Sequence, residues 1–142
     1  MLDDLGLAAA LEWQAREISR STGVHIDVWA SELPGNLPDE HKTCIFRIVQ
    51  ESLNNVCRHA HADSVEIRLE GSEEWISISV QDDGRGFRPG QTKGLGLIGI
   101  EERAESLGGA VKVTSEPGKG ARVEARLPFP KHILPGARPE NV

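Results

Sequence analysis

Asp82-Asp83-Gly84-Arg85-Gly86-Phe87 and, after six intervening residues, Gly94-Leu95-Gly96-Leu97 form the stretch on which the fold of this chain turns. Ile76, Ile78 and Val80 alternate with polar neighbours directly before it, so a strand runs into Asp82. Leu97, Ile100, Ala104 and Leu107 follow at helical spacing, and Gly108-Gly109 supplies a stop. A strand, two glycine-bearing segments and a helix therefore succeed one another.

The alternation extends both ways. Val65, Ile67 and Leu69, a turn at 71–74, and the strand before Asp82 predict a β-hairpin. Downstream, Val111 and Val113 alternate, Pro117-Gly118-Lys119-Gly120 makes a turn, and Ala121, Val123, Ala125 and Leu127 complete a second pair. Upstream, Pro38 suits a helix's first turn, and Asp39 and Glu40 suit its dipole. That helix is expected to run to about residue 60, with Ile45, Val49, Leu53 and Val56 as its apolar stripe. Glu51, Asn55, Arg58 and His59 cluster on the other side. Leu5, Leu7, Ala8, Leu11, Ala15 and Ile18 predict a leading helix, with Asp3 and Asp4 as caps and Gly23 as its break. Val24, Ile26 and Val28 predict a strand, and residues 30–37 a loop. Strands that alternate imply a sheet with helices over one face and water on the other. The segment after Pro130, with Pro135 and Pro139 and no periodicity, reads as a mobile tail.

Composition narrows the class. The chain has 142 residues, 38% hydrophobic and 27% charged, which suits one soluble domain with a core. No apolar run is long enough to span a bilayer, and the N-terminus lacks a signal peptide's pattern, so no membrane contact is expected. A net charge of −6 argues against nucleic acid as the main partner, but not against a nucleotide. Cys44 and Cys57 lie on one predicted helix, about 20 Å apart, too far for a disulfide. They read as reduced thiols of a cytoplasmic protein, and no cysteine or histidine pairing has metal-site spacing.

Each motif has a plain reading and a chemical one. Asp-Asp-Gly is turn sequence. It also places a carboxylate, an acceptor only, at a strand end where it would take a hydrogen bond from the exocyclic amine of adenine, while Gly84 and Gly86 let the backbone approach the ring. Gly94-Leu95-Gly96-Leu97 is either a flexible connection or a set of uncovered N–H groups for phosphate at a helix start. It lacks the Rossmann and Walker patterns. The polar face with Glu51 and Asn55 is either solvated surface or a site. Two adjacent asparagines, Asn54 and Asn55, are a poor choice for plain helix surface. The Asn55 amide oxygen suits Mg²⁺, Arg58 and His59 lie within reach of phosphate oxygens, and Glu51 would polarise a hydroxyl or position the amide.

Together these motifs resemble the histidine-kinase ATPase domain. Glu51-Ser-Leu-Asn-Asn55-Val-Cys-Arg58-His59-Ala is similar to its N box, Asp82-Asp-Gly84-Arg-Gly86-Phe to its G1 box, and Gly94-Leu-Gly96-Leu97 to its G2 box. The resemblance covers residues 24–130 and is nearest to the nitrate-sensor-like branch. It implies the Bergerat fold: an α/β (α+β) two-layer sandwich with a mixed, mostly antiparallel sheet and helices on one face. It implies ATP and Mg²⁺ as cofactors, Asp82 reading adenine, Asn55 holding Mg²⁺, Glu51 as the catalytic candidate, Arg58 and His59 on the phosphate side, and Gly94, Gly96 and Leu97 at the base of a lid. It further implies, as partners, a phosphoacceptor histidine domain and a LuxR-type response regulator.

Two departures stand out. Ala121 replaces a threonine common in relatives, and no histidine here is followed by Asp or Glu, as the phosphoacceptor of that branch would be. The expected organisation is thus a remnant of a preceding helical domain at 1–22, an ATP-binding catalytic domain at 23–130 and a tail at 131–142. The expected activity is transfer of the ATP γ-phosphoryl to a histidine on another domain, with no self-labelling by this chain. The competing readings are an anti-sigma-factor-type serine kinase and a non-catalytic nucleotide-sensing module.

Overall fold

A computed structural model of the chain describes residues 2–31, 33, 37–60, 62–72, 74–84 and 97–128, with backbone alone at 2–5, 59–60 and 97–98. The element order is α1 (Leu2–Thr22), β1 (His25–Ala30), α2 (Asp39–Asn55), a π-helical turn (Val56–Ala60), β2 (Ser64–Gly71), β3 (Trp75–Asp82), α3 (Leu97–Ser106), β4 (Ala110–Ser115) and β5 (Ala121–Pro128). The predicted tail at 131–142 lies outside the described residues.

The strands form one sheet in the order β1-β2-β3-β5-β4. β1 and β2 run parallel, and the other neighbours are antiparallel. Alternation decides which side chains go in. Val65, Ile67 and Leu69 of β2, Ile76, Ile78 and Val80 of β3, and Val123, Ala125 and Leu127 of β5 are all buried on one face. Glu66, Arg68, Ser77, Ser79, Arg122, Glu124 and Arg126 take the alternate positions, so the sheet's second face carries the polar and charged side chains.

The helices cover the apolar face. α2 puts Ile45, Ile48, Val49 and Leu53 against β3 and β5, with each of these side chains fully buried. α1 adds Leu7, Ala10, Leu11 and Ala15 and packs against α2 and β1. Leu7 and Leu11 belong to the same continuous core as the sheet residues.

The helix ends differ in places from the sequence reading. α1 begins at Leu2 rather than after Asp3 and Asp4, with a break in helical geometry at Gly6 (φ 80°, ψ 168°). Pro38 is the N-cap of α2 rather than its first residue, and its carbonyl accepts from the N–H groups of His41 and Lys42. α2 stops at Asn55, and the expected continuation to residue 60 is the wider π turn. α3 ends as the glycine pair predicts. Gly108 adopts φ +84°, its N–H bonds to the Glu105 carbonyl, and that of Gly109 bonds to the Ala104 carbonyl. No described helix is long and apolar enough to cross a membrane.

A single core shared by α1 and α2 has a measurable consequence. Leu11→Ala is expected to cost about 3 kcal/mol, as is Ile48→Ala, because both truncate fully buried side chains. Urea unfolding should show one transition for each variant with the midpoint lowered to a similar degree. An unchanged midpoint for Leu11→Ala would separate α1 from the cooperative unit.

Candidate functional site

The topology gathers five segments at one end of the sandwich. α2 and its π turn end close to the start of β2. The start of β2 pairs with the end of β3, where Val65 faces Asp82. β5 begins beside the same end of β3, with Arg122 facing Gln81. α3 begins at Leu97, fifteen positions after Asp82. Glu51 and Asn55, in the last turns of α2, therefore stand at the end of the fold where Asp82 lies.

Asp82 is the buried member of the group, at 7% exposure. Parity puts it there: it continues the inward series Ile76, Ile78, Val80. Its Oδ1 accepts a hydrogen bond from the Gly84 N–H at 2.8 Å, and its carboxylate accepts another from the backbone N–H of Ala121. Burial pushes the Asp82 carboxyl above its ordinary range; the two N–H donors oppose the shift, and the neighbouring Asp83 charge adds to it. A carboxylate offers about four acceptor positions, and among the described residues these two donors take two of them.

Asp83 behaves in the opposite way. Its side chain is exposed, and bonds from the N–H and hydroxyl of Ser64 lead the causes that hold its carboxyl below the ordinary range. Sequence reasoning left Asp83 without a role. It also missed Gly120, where φ is +85° and a Cβ would overlap the carbonyl oxygen of Asp82. Only glycine lets the β4–β5 turn close onto the end of β3. The sole sequence signal for that approach was the turn composition at 117–120.

Glu51 and Asn55 are half-buried, and Arg58 is exposed on the π turn. The π geometry changes the phase expected for Arg58 and His59 relative to Asn55, because each residue advances less around the axis than in an α-helix. Gly84 is buried beside Asp82. Gly86, Gly94 and Gly96 lie outside the described residues, as do the side chains of His59 and Leu97. Ala121, where a threonine was anticipated, occupies the position next to the Asp82 carboxylate with its own side chain buried. Cys44 is buried and Cys57 exposed, and both are free thiols, as their spacing required.

Comparison with known proteins gives this end of the fold a context. The family model described as "Histidine kinase-, DNA gyrase B-, and HSP90-like ATPase" matches residues 40–131. The oxygen sensor histidine kinase NreB of Staphylococcus carnosus is 35% identical over 90% of this chain, and the chain spans 38% of that protein. The signal transduction histidine-protein kinase/phosphatase UhpB of Salmonella typhimurium is 36% identical over 89% of this chain, which spans 25% of it. Among solved structures, the histidine kinase domain of the Erythrobacter litoralis EL346 blue-light activated histidine kinase superposes with a TM-score of 0.71 at 28% identity. That match covers 88% of this chain and 62% of the other. The chain spans well under half the length of these curated relatives. With its five-stranded mixed sheet and helices over one face, this chain belongs to the histidine kinase-, DNA gyrase B- and HSP90-like ATPase family.

Proposed function

We propose that this domain binds ATP at the end of the sandwich marked by Asp82 and serves as the catalytic half of a sensor histidine kinase. The observation that carries the reading is the buried Asp82 carboxylate, which among the described residues is met by two backbone N–H groups, fewer than a carboxylate accepts. Such a group suits the exocyclic amine of adenine and rejects the carbonyl that guanine presents at the same edge. Gly84, buried beside Asp82, would leave room for the ring, and by its residue type Gly86 would do the same.

The remaining roles follow from residue type and place. The Asn55 amide oxygen would hold Mg²⁺, which when bound neutralises charge on the phosphates. Arg58 and His59 would contact phosphate oxygens, and Gly94, Gly96 and Leu97 would form the base of a cover over them. Glu51, one helical turn before Asn55, would orient that amide or receive a proton from the attacking group. Phosphoryl transfer depends mostly on positioning and charge stabilisation, and these groups supply both. The acceptor would be a histidine on a separate helical domain, with a LuxR-type response regulator as the next recipient. Residues 1–22 would lead in from that domain, 23–130 would form the catalytic unit, and 131–142 would be a tail. The cytoplasm is the compartment that provides ATP for such chemistry. The kinase names carried by the relatives support histidine transfer over serine transfer.

Calorimetric titration of the chain with ATP and Mg²⁺ tests the reading. Binding should be seen, and Asp82→Asn should weaken it about 30-fold or more, because a charge-assisted hydrogen bond in a buried position is lost. Asn55→Asp should act mainly on the Mg²⁺-dependent part of the affinity. Parent-like binding by both variants would place the site elsewhere. Radioactive ATP should leave no acid-labile phosphate on this chain alone.

The opposite shifts of the two aspartates predict opposite effects on stability. The folded state raises the Asp82 pKa, so its ionisation costs stability at neutral pH, a cost that shrinks as pH falls through the raised value and is gone below the ordinary carboxyl value of about 4. The folded state lowers the Asp83 pKa, so its contribution is present above that value and lost as pH falls through the lowered one. At pH 7, Asp82→Asn should therefore unfold at equal or higher urea concentration than the parent, and Asp83→Asn at lower. Both differences should shrink on acidification.

A further inference from the structure

Asp83 makes more bonds than a turn residue needs. Its Oδ1 accepts from the backbone N–H groups of Asp63 (2.9 Å) and Ser64 (3.0 Å), and its Oδ2 accepts from the Ser64 hydroxyl (2.8 Å). Its own N–H donates to the Ser64 carbonyl at 3.2 Å. These bonds fasten the residue after Asp82 to the residues that lead into β2. That segment follows directly on the π turn that carries on from Asn55.

The consequence is geometric. The Asp82 main chain is bounded on the far side by Gly120, whose bare α-carbon sits against the Asp82 carbonyl. Its side chain is drawn toward Gly84 and Ala121. On the near side, the bonds from Asp83 set how the chain turns out of β3, and with it where Gly84 presents its N–H. Removing them would leave Asp82 in the ladder but free the donor that orients its carboxylate. The same bonds tie the chain that leaves Asp82 to Asp63 and Ser64, the residues that lead into β2.

We propose that Asp83, with Ser64 as its partner, is a positioning residue that sets the aim of the Asp82 carboxylate on the base; this rests on the nucleotide reading above. Its action is indirect, since its own oxygens are occupied by Asp63 and Ser64 rather than turned to the site. Charge-assisted bonds to backbone donors are suited to this task because they fix direction as well as distance. A positioning role of this kind acts on selectivity for the amine rather than on nucleotide affinity as a whole.

The experiment measures ATP and inosine triphosphate binding to the whole chain by calorimetry. Inosine triphosphate carries a carbonyl where adenine has its amine, so the ratio of the two affinities reports the Asp82 contact. The parent should prefer ATP. Asp83→Ala should lower that preference about tenfold, chiefly through ATP. Asp83→Asn keeps an acceptor for both N–H groups and should hold the preference within about threefold of the parent. If Asp83→Ala fails to fold, Ser64→Ala carries the test, with a loss of about threefold expected. A folded Asp83→Ala, or in its place Ser64→Ala, that weakens both nucleotides equally or leaves the ratio unchanged would overturn the proposal alone. So would an Asp83→Asn ratio as low as that of Asp83→Ala. A parent that binds both nucleotides equally would overturn the adenine reading, and this inference with it.

Discussion

A carboxylate removed from water must be surrounded by donors that do not move, and the end of this sandwich is built around one such group. Asp82 is nearly buried, and its compensation comes from the N–H groups of Gly84 and Ala121. Backbone donors are held by the sheet and by the turn that leaves it, so their directions are set by the fold itself. Their placement depends on β5 lying beside β3, on the β4–β5 turn closing at Gly120, and on the chain leaving β3 in a set direction. The central position of β3 in the sheet is what makes all three possible. A strand at the sheet's edge would have a neighbour on one side only, and β1 and β4 take those places.

That arrangement is held at a cost in stability. The core of Ile45, Ile48, Val49 and Leu53 against Ile76, Ile78, Leu127 and their neighbours carries the fold. It leaves a margin in which one desolvated carboxylate is tolerated. The neighbouring Asp83 makes bonds that favour its own charged form, while that charge adds to the penalty on Asp82. Burying one charge while anchoring the next in water distributes opposite electrostatic effects over two adjacent residues.

Much of the fold was legible because its signals are periodic. The alternation in β2, β3 and β5 and the stripe on α2 both reflect burial on one side, and burial is what periodicity records. The candidate site was legible in part. Glu51 and Asn55 stand out as polar choices on an amphipathic helix, and Asp82 as a carboxylate ending an apolar alternation. What stayed hidden depends on contacts across the chain. Gly120 matters because it meets Asp82, thirty-eight positions earlier. Asp83 matters because of Ser64, nineteen positions earlier. The π turn after Asn55 has no composition of its own, since Val56, Cys57, Arg58 and Ala60 are equally compatible with an ordinary helix. The packing of α1 into the common core was foreshadowed by Leu7 and Leu11, but which surface they would meet was not.

The two aspartates show how far a short-range rule reaches into chemistry. Asp82 and Asp83 have identical side chains, and no local propensity separates them. The pleat does. Ile76, Ile78 and Val80 face the core, so the next residue of that parity is Asp82, and the one after it must turn outward. Pairing holds the assignment: Ile67 faces Val80 and Val65 faces Asp82, so a slip by one residue would expose every apolar side chain of β3. The identity of the buried carboxylate is therefore enforced by the whole hydrophobic face of the strand. Fixing the register of β3 fixes at once which aspartate is desolvated, which one meets Ser64, and where the first glycine-bearing segment begins.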